Sequence, residues 1–373
     1  MALFDENVTV GPAPRGSRGR GAAVGGWCLT FAIVVLLVLT FLPTAYVIQQ
    51  PGPVFNTLGA APDGSGGQTP LITVHGATSY PSTGTLDLLT VQTVGSPART
   101  PSWVQLAAAW FDRSQAVLPL AAAFPAGQSQ KERDQQSTAM MVDSQKEATA
   151  AALIDLGYHV VSKITVYSLI DGSAAAGILR KGDVIVRANG TAIDDADTLR
   201  TVIADAAGGP VALVIDRGGV QKSVSVTPQR TTVNGAATWL IGVTLITDFD
   251  FPIDVQIQLN NVGGPSAGMM FALGIIDALT PGNLAGDATV AGTGTIDAAG
   301  EVGPIGGIRQ KLFGARRAGA QYFLAPASNC NEVVGHIPQG LRVFAVKTLD
   351  DSLHAVAAIR TGTDLNALPV CTP

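Results

Sequence analysis

The chain has 373 residues, of which 14% are charged and 47% hydrophobic, with 43 glycines and a formal net charge of −5. That apolar content excludes a disordered protein and supplies two or three cores. The mild acidity, with no basic run interleaved with aromatics, excludes a nucleic-acid-binding surface.

Between Arg20 and Asp63 there is no Asp, Glu, Lys or Arg, and Trp27 to Ile48 reads WCLTFAIVVLLVLTFLPTAYVI. This is the length that a bilayer-spanning helix requires, and Pro43 near its outer end is tolerable there. Arg15, Arg18 and Arg20 precede the segment, whereas QQPGPVFNTLG follows it. The positive-inside rule then leaves residues 1–26 as a cytoplasmic tail, 27–48 as an anchor in the lipid bilayer, and everything after it outside the cell. A cleaved signal peptide is the competing reading, but its apolar core is ordinarily shorter and no good A-x-A site follows.

Cys28 lies at the start of this segment, while Cys330 and Cys371 fall in the exported part. In an oxidising compartment those two are candidates for a disulfide that pins the C-terminus, with two unrelated buried thiols as the other reading.

Further along, LITVHGA (71–77) and GTLDLLTVQT (84–93) read as two strands around a turn at Ser79–Gly84. A helical stretch from Ser102 to Leu120 follows, then GQSQKERDQQS, a solvated connector. The next segment, MMVDSQKEATAAALIDLGY, reads as a helix stopped by Gly157.

From about residue 158 the texture changes to short strands (ITVYSLI, DVIVRANG, PVALVIDR, KSVSVTP) with one helix, DADTLRTVIADA, among them. DGSAAAGILRKGDVIVRANGTAI, residues 171–193, resembles the core of a bacterial PDZ domain: a small-residue turn, a GD dipeptide entering a strand, and an NG turn after it. Ala174 stands where many such domains have Pro. The resemblance implies a groove that takes an extended peptide or a C-terminus by strand addition. Asp248, Asp250 and Asp254, farther on, alternate with apolar residues as a half-exposed strand would. They follow no calcium-loop pattern, and no metal is expected.

NNVGGPSAGMMFALGIIDAL then places one hydroxyl, Ser266, between small turn-forming residues and an oily helix. Such a serine is either an N-cap or a nucleophile beside backbone N–H groups able to hold an oxyanion. GPSAG also fits the nucleophile elbow of α/β-hydrolases, which needs a carboxylate and a histidine downstream. Only His336 and His354 follow, and neither has an obvious orienting acid, although Asp350 and Asp351 are near His354.

A lysine is the other activating base, and Lys311 and Lys347 follow the serine. Lys311 sits on a helix beside the apolar stripe Ile308, Leu312 and Ala315; Arg309, Arg316 and Arg317 can stay wet. The ordinary fate of such a lysine is to snorkel.

GPSAG combined with TGTI, then GEVGPIGGIRQK, puts Lys311 45 positions after Ser266. This combination resembles the proteolytic domain of Lon-type proteases. With the anchor and the PDZ-like segment, the layout resembles the membrane-anchored, PDZ-containing Lon-like proteases of the bacterial envelope.

The resemblance implies an α+β proteolytic domain over 233–373, a PDZ domain over 143–232, and a membrane-proximal region, 49–142, that packs with the protease. It implies Ser266 as nucleophile, Lys311 as general base, Thr293 as the residue that holds the lysine, and Gly264 and Ala267 as supporting turn residues. Backbone N–H groups at the start of the following helix would cradle the oxyanion. Two positions depart from the family pattern: Thr295 stands where many members have Glu, and Arg309 replaces a common Lys. The loop before the serine is also short.

The substrates implied are segments of exported or membrane proteins. The assembly implied is a ring-shaped homo-oligomer, six-membered by family habit, with nothing in this chain to fix the number. No G-x-x-x-x-G-K-[ST] occurs, so neither a cofactor nor nucleotide dependence is expected. A non-catalytic, membrane-anchored PDZ adaptor with a protease-like scaffold is the alternative.

Overall fold

The computed structural model describes residues 19–62, 67–125, 127, 129–170, 172–233, 236–259 and 262–372. Arg15 and Arg18 of the basic flank lie outside them. The chain divides into two compact units, Met1–Gln50 with Thr93–Gly127, and Pro51–Gln92 with Gln128–Pro373.

In the smaller unit a helix runs from Gly19 to Phe41, with Trp27, Phe31 and Val38 among its exposed side chains. Among the described residues no helix is long and apolar enough to cross a membrane. The segment 27–48 is not one helix: it stops before Pro43, which has no amide proton to continue the ladder, and Tyr46–Gln49 pair instead with Ala116–Pro119 as antiparallel strands.

The helix expected to reach Leu120 spans only Trp103–Phe111 and starts on a Ser102–Gln105 capping box. It ends because the Asp112 carboxylate accepts the Ser114 amide and hydroxyl at 2.9 and 2.7 Å, a local turn that competes with helix.

In chain order the larger unit contains β1 (Tyr46–Asn56, of which residues 46–50 belong to the smaller unit), β2 (Ile72–His75), β3 (Thr85–Val94, less its last two residues) and the long helix α1 (Gln130–Asp155). Then come β4 (Val161–Leu169), β5 (Val184–Ala188), α2 (Ala196–Asp205), β6 (Val211–Arg217), β7 (Val220–Val226) and β8 (Val243–Asp250). The last third supplies β9 (Asp254–Ile257), α3 (Gly268–Leu279), β10 (Thr289–Gly292) and α4 (Ile308–Arg317), followed by β11 (Tyr322–Pro326), β12 (Arg342–Val346) and α5 (Leu349–Thr361).

The main sheet has the order β12–β11–β10–β3–β1, with β10 parallel to both β3 and β11. The hairpin expected between 71–77 and 84–93 does not form. β2 pairs with β9, and β3 takes a central place because its Leu86, Leu88 and Leu89 are all buried, which a half-exposed hairpin strand would not allow. The whole is α+β, with parallel strands and their helices beside antiparallel ladders.

The solvated connector is also corrected. Helix α1 already begins at Gln130, because Ser129 and Glu132 close a capping box. It runs unbroken through residue 143, and its Ala148, Ala151 and Ala152 share a core with Met270, Phe271 and Leu273 of α3. A separate core starts only at Ile164 and extends through Ile241 to Val243 and Leu245. The strands from Ile164 onward therefore form a second domain with a core of its own, apart from the one that α1 shares with α3.

Within the second domain the sheet order is β7–β6–β5–β4–β8. The GD dipeptide has a physical reason: buried Asp183 receives both arms of the Arg217 guanidinium, at 2.6 and 2.7 Å, and the Arg180 amide. Farther along, Cys330 and Cys371 form a disulfide that ties the C-terminal tail to the 330 helix.

Candidate active site

Ser266 ends a tight loop. Gly264 takes the left-handed region at φ 84°, a conformation that side chains rarely adopt, and its amide donates to Ser137 O at 3.0 Å. The N-cap of α3 is Ala267, with no side-chain cap bond, so the Ser266 hydroxyl is not used as a cap. It meets a lysine instead.

Gly307 places that lysine. It also has φ in the left-handed region, and a Cβ there would lie 2.7 Å from Val91 Cγ2, so only glycine lets α4 start this close to β3. Ile308, Leu312 and Ala315 then bury the helix face completely. Lys311, on the same helix, is only 2% exposed and does not snorkel. Its Nζ lies 2.7 Å from Ser266 Oγ and 2.8 Å from Thr293 Oγ1.

Thr293, fully buried, donates its hydroxyl to Ser266 O at 2.8 Å, which leaves its lone pairs for the lysine. A neutral amine has two N–H donors and one lone pair. With one donor given to Thr293, the lone pair is available to the Ser266 hydroxyl proton. Burial brings the Lys311 pKa down from 10.5 to about 7, because a charged ammonium loses its hydration there. At pH 7–8 a large fraction of the amine is then proton-free.

The free amides are not where the helix start suggested. The amides of Gly268 and Met269 are turned inward, to Pro265 O at 3.4 Å and Gly294 O at 3.1 Å. Those of Ser266 and Ala267 have no acceptor among the described residues, and both residues line the cleft. The two free donors flank the Ser266 side chain itself.

The cleft, about 600 Å³, is walled by Leu88, Leu89, Val91, Met141, Leu259 and Val262, with Ser266 and Lys311 in it. Sequence reasoning missed two of these walls, the one from β3 and the one from α1. The wall from α1 had a signal, since Ser137, Met141 and Ser144 recur at helical spacing on one face.

The histidine alternatives fail on geometry: His354 is exposed and His336 Nδ1 is within 3.1 Å of Val334 O, neither in the cleft. Of the departing positions, Thr295 sits opposite Gly303 in a short ladder and Arg309 is exposed. Asp248 and Asp250 are ion-paired to Lys146 and Lys163.

Comparison with known proteins matches residues 244–358 to the Lon protease (S16) C-terminal proteolytic domain and residues 133–227 to a PDZ domain. Among curated relatives, Lon protease 2 of Herpetosiphon aurantiacus is 41% identical over 108 residues, 27% of this chain and 13% of that protein. Lon protease of Azospirillum brasilense is 35% identical over 141 residues, 37% of this chain and 16% of that protein. Lon protease 2 of Bacillus subtilis is 36% identical over 110 residues, 28% of this chain and 19% of that protein. The chain thus spans less than a fifth of each of these relatives.

Among solved structures, the PDZ domain of the SdrC-like protein of Listeria monocytogenes is 25% identical, covers 22% of this chain and 85% of that one, and has a TM-score of 0.20. By the two family matches, the chain contains a Lon-type proteolytic domain, that of a serine peptidase, and a PDZ domain.

Proposed function

We propose that this chain is an ATP-independent endopeptidase of the cell envelope that cuts extended segments of exported or membrane proteins. The observation that carries the reading is the 2.7 Å approach of a buried lysine amine to the Ser266 hydroxyl.

Lys311 takes the Ser266 proton as Oγ attacks the scissile carbonyl, and the carbonyl oxygen becomes an oxyanion held by backbone amides. The lysinium then gives that proton to the leaving nitrogen, the C–N bond breaks and an acyl-enzyme remains. Lys311 next deprotonates a water that attacks the acyl carbon, then returns this proton to Ser266 Oγ as the ester C–O bond breaks and the acid leaves.

The PDZ domain presents substrate. Its β8 ends the sheet order, the place where an extended peptide adds as a further strand. The uncharged run from Trp27 into the exposed apolar face of the first helix supports attachment to a bilayer, with the larger unit outside. The Cys330–Cys371 bond agrees with an oxidising compartment. Assembly as a ring-shaped homo-oligomer belongs to the same reading.

The test is to incubate an unstructured protein with the purified chain without nucleotide. Release of short peptides at a rate unchanged by ATP and Mg²⁺ is the expected result. An intact protein after prolonged incubation would favour the non-catalytic PDZ adaptor.

A further inference from the structure

Helix α1 lies against the catalytic loop along a single face. Ser137, Met141 and Ser144 are spaced four and three residues apart, so all three point the same way. Ser137 O accepts the Gly264 amide at 3.0 Å, Met141 walls the cleft, and the buried Ser144 hydroxyl donates to Pro265 O at 2.9 Å. The fit is close: a Cβ on Gly263 would come within 2.1 Å of Ser137 Oγ, and one on Gly268 within 2.9 Å of Ser144 Oγ.

The acceptor that Ser144 chooses matters chemically. Pro265 C=O and Ser266 N–H belong to one trans peptide unit, so they point in opposite directions. A donor that fixes the carbonyl also fixes the amide on the other edge. That amide is one of the two at the nucleophile without an acceptor among the described residues. The following unit is held in the same manner, because Ser266 O accepts from Thr293 Oγ1 and from the Gly294 amide, at 2.8 and 3.0 Å. Its far edge is the Ala267 amide. Each of the two free donors thus has its own carbonyl anchored on the opposite side.

We propose that Ser144 is a positioning residue for the oxyanion hole: by holding Pro265 C=O it keeps the Ser266 N–H turned to the cleft, where the tetrahedral intermediate places its negative oxygen. A hydrogen bond on the carbonyl also polarises the peptide unit and strengthens its amide as a donor. The arrangement gives the helix that leads directly into the PDZ domain a grip on the catalytic loop. Lys146 on α1 pairs with Asp248 of β8 at 2.6 Å, and Glu147 accepts the Ala298 amide at 2.7 Å, so the same helix also touches the presenting domain and the turn after Thr293.

The inference rests on the peptidase reading, and its test separates the two. Steady-state cleavage of a short fluorogenic peptide is measured for the native chain, Ser266→Ala, Ser144→Ala and Ser144→Thr, with thermal melting of each. Absence of Ser266-dependent cleavage by the native chain overturns the peptidase reading and this inference with it.

Given that cleavage, Ser144→Ala is expected to lower kcat by about tenfold or more while KM stays within about twofold, since the lost interaction serves the transition state. Ser144→Thr, which retains a hydroxyl donor, should recover most of kcat. A peptidyl boronate, whose tetrahedral adduct carries an oxygen in the oxyanion position, should bind Ser144→Ala more weakly by the same factor, while a non-covalent product peptide binds unchanged. The acid limb of the pH–rate profile should stay in place. Unchanged kcat in Ser144→Ala, equal loss in the Ala and Thr variants, or a displaced acid limb would overturn the assignment, the last because it would mean that Ser144 acts through Lys311.

Discussion

Replacing Lys311 by methionine is expected to abolish peptide cleavage while making the fold more stable at neutral pH. Methionine fills nearly the same volume as lysine, but its thioether sulfur is far too weak a base to take the Ser266 proton. Loss of the general base of an acyl-transfer pair should lower kcat/KM by at least ~10³-fold.

The stability gain follows from linkage. In the folded chain Lys311 titrates at about 7, against 10.5 for an ordinary lysine. Between those values the unfolded chain binds the proton and the folded one does not, so stability rises with pH across that window. The burial penalty is therefore fully present below about pH 7 and fades towards 10.5. The Met variant carries no such penalty, so its excess in Tm over the native chain should be largest near pH 6 and should shrink by pH 9.5. Melting curves at the two pH values check the sign. A variant less stable than the native chain at pH 6 would show that the native fold draws stability from that side chain instead.

Replacing Ser266 by alanine should remove cleavage by ~10⁴-fold or more and leave peptide binding in the cleft and at the PDZ domain in place. Ser266 is half-buried and its side chain makes no cap bond, so deleting the hydroxyl costs the fold little. The double variant Ser266→Ala/Lys311→Met should be no slower than Ser266→Ala alone, because a nucleophile and its base act as one unit. Additive losses would mean that the two side chains serve different steps. Rate measurements on the two single variants and the double variant decide between these outcomes.

Ser266 and Lys311 were legible as a pair only through the resemblance of GPSAG with TGTI and GEVGPIGGIRQK to Lon-type domains; taken singly, the serine reads equally as a cap and the lysine as a snorkelling side chain. Gly264 and Pro265 announce the turn under Ser266. The stripe Ile308–Leu312–Ala315 shows which face of that helix is buried. What the stripe did not reveal is that Lys311 goes inside with it. Depth depends on β3 coming within van der Waals reach of Gly307, a contact between segments more than two hundred positions apart.

The misplaced elements have the same origin. LITVHGA and GTLDLLTVQT have the length and turn of a hairpin, yet each finds its partner far along the chain, on β9 and β10. The start of α1 was missed although Ser129 and Glu132 spell its capping box, because the polar residues between Gln130 and Thr138 suit a solvated connector as well as an exposed helix face. That error hid Ser137, and the role of Ser144, already within the expected helix, is invisible until the helix is laid against the loop. The amides without an acceptor among the described residues lie one step earlier than the helix start suggests, for a similar reason. Helix-start amides are free as a rule, and only the structure shows Gly294 O and Pro265 O already occupying those of Met269 and Gly268.

The most direct test of the account is to titrate the Lys311 amine itself. With ¹³C-labelled lysine in the full chain, the Cε resonance that disappears in Lys311→Met can be followed from pH 5 to 11. A midpoint near 7, while exposed lysines titrate above 10, is the result that a desolvated base beside Ser266 requires. A midpoint at 10 or above would mean that the amine is charged at working pH, and Ser266 would then have no base.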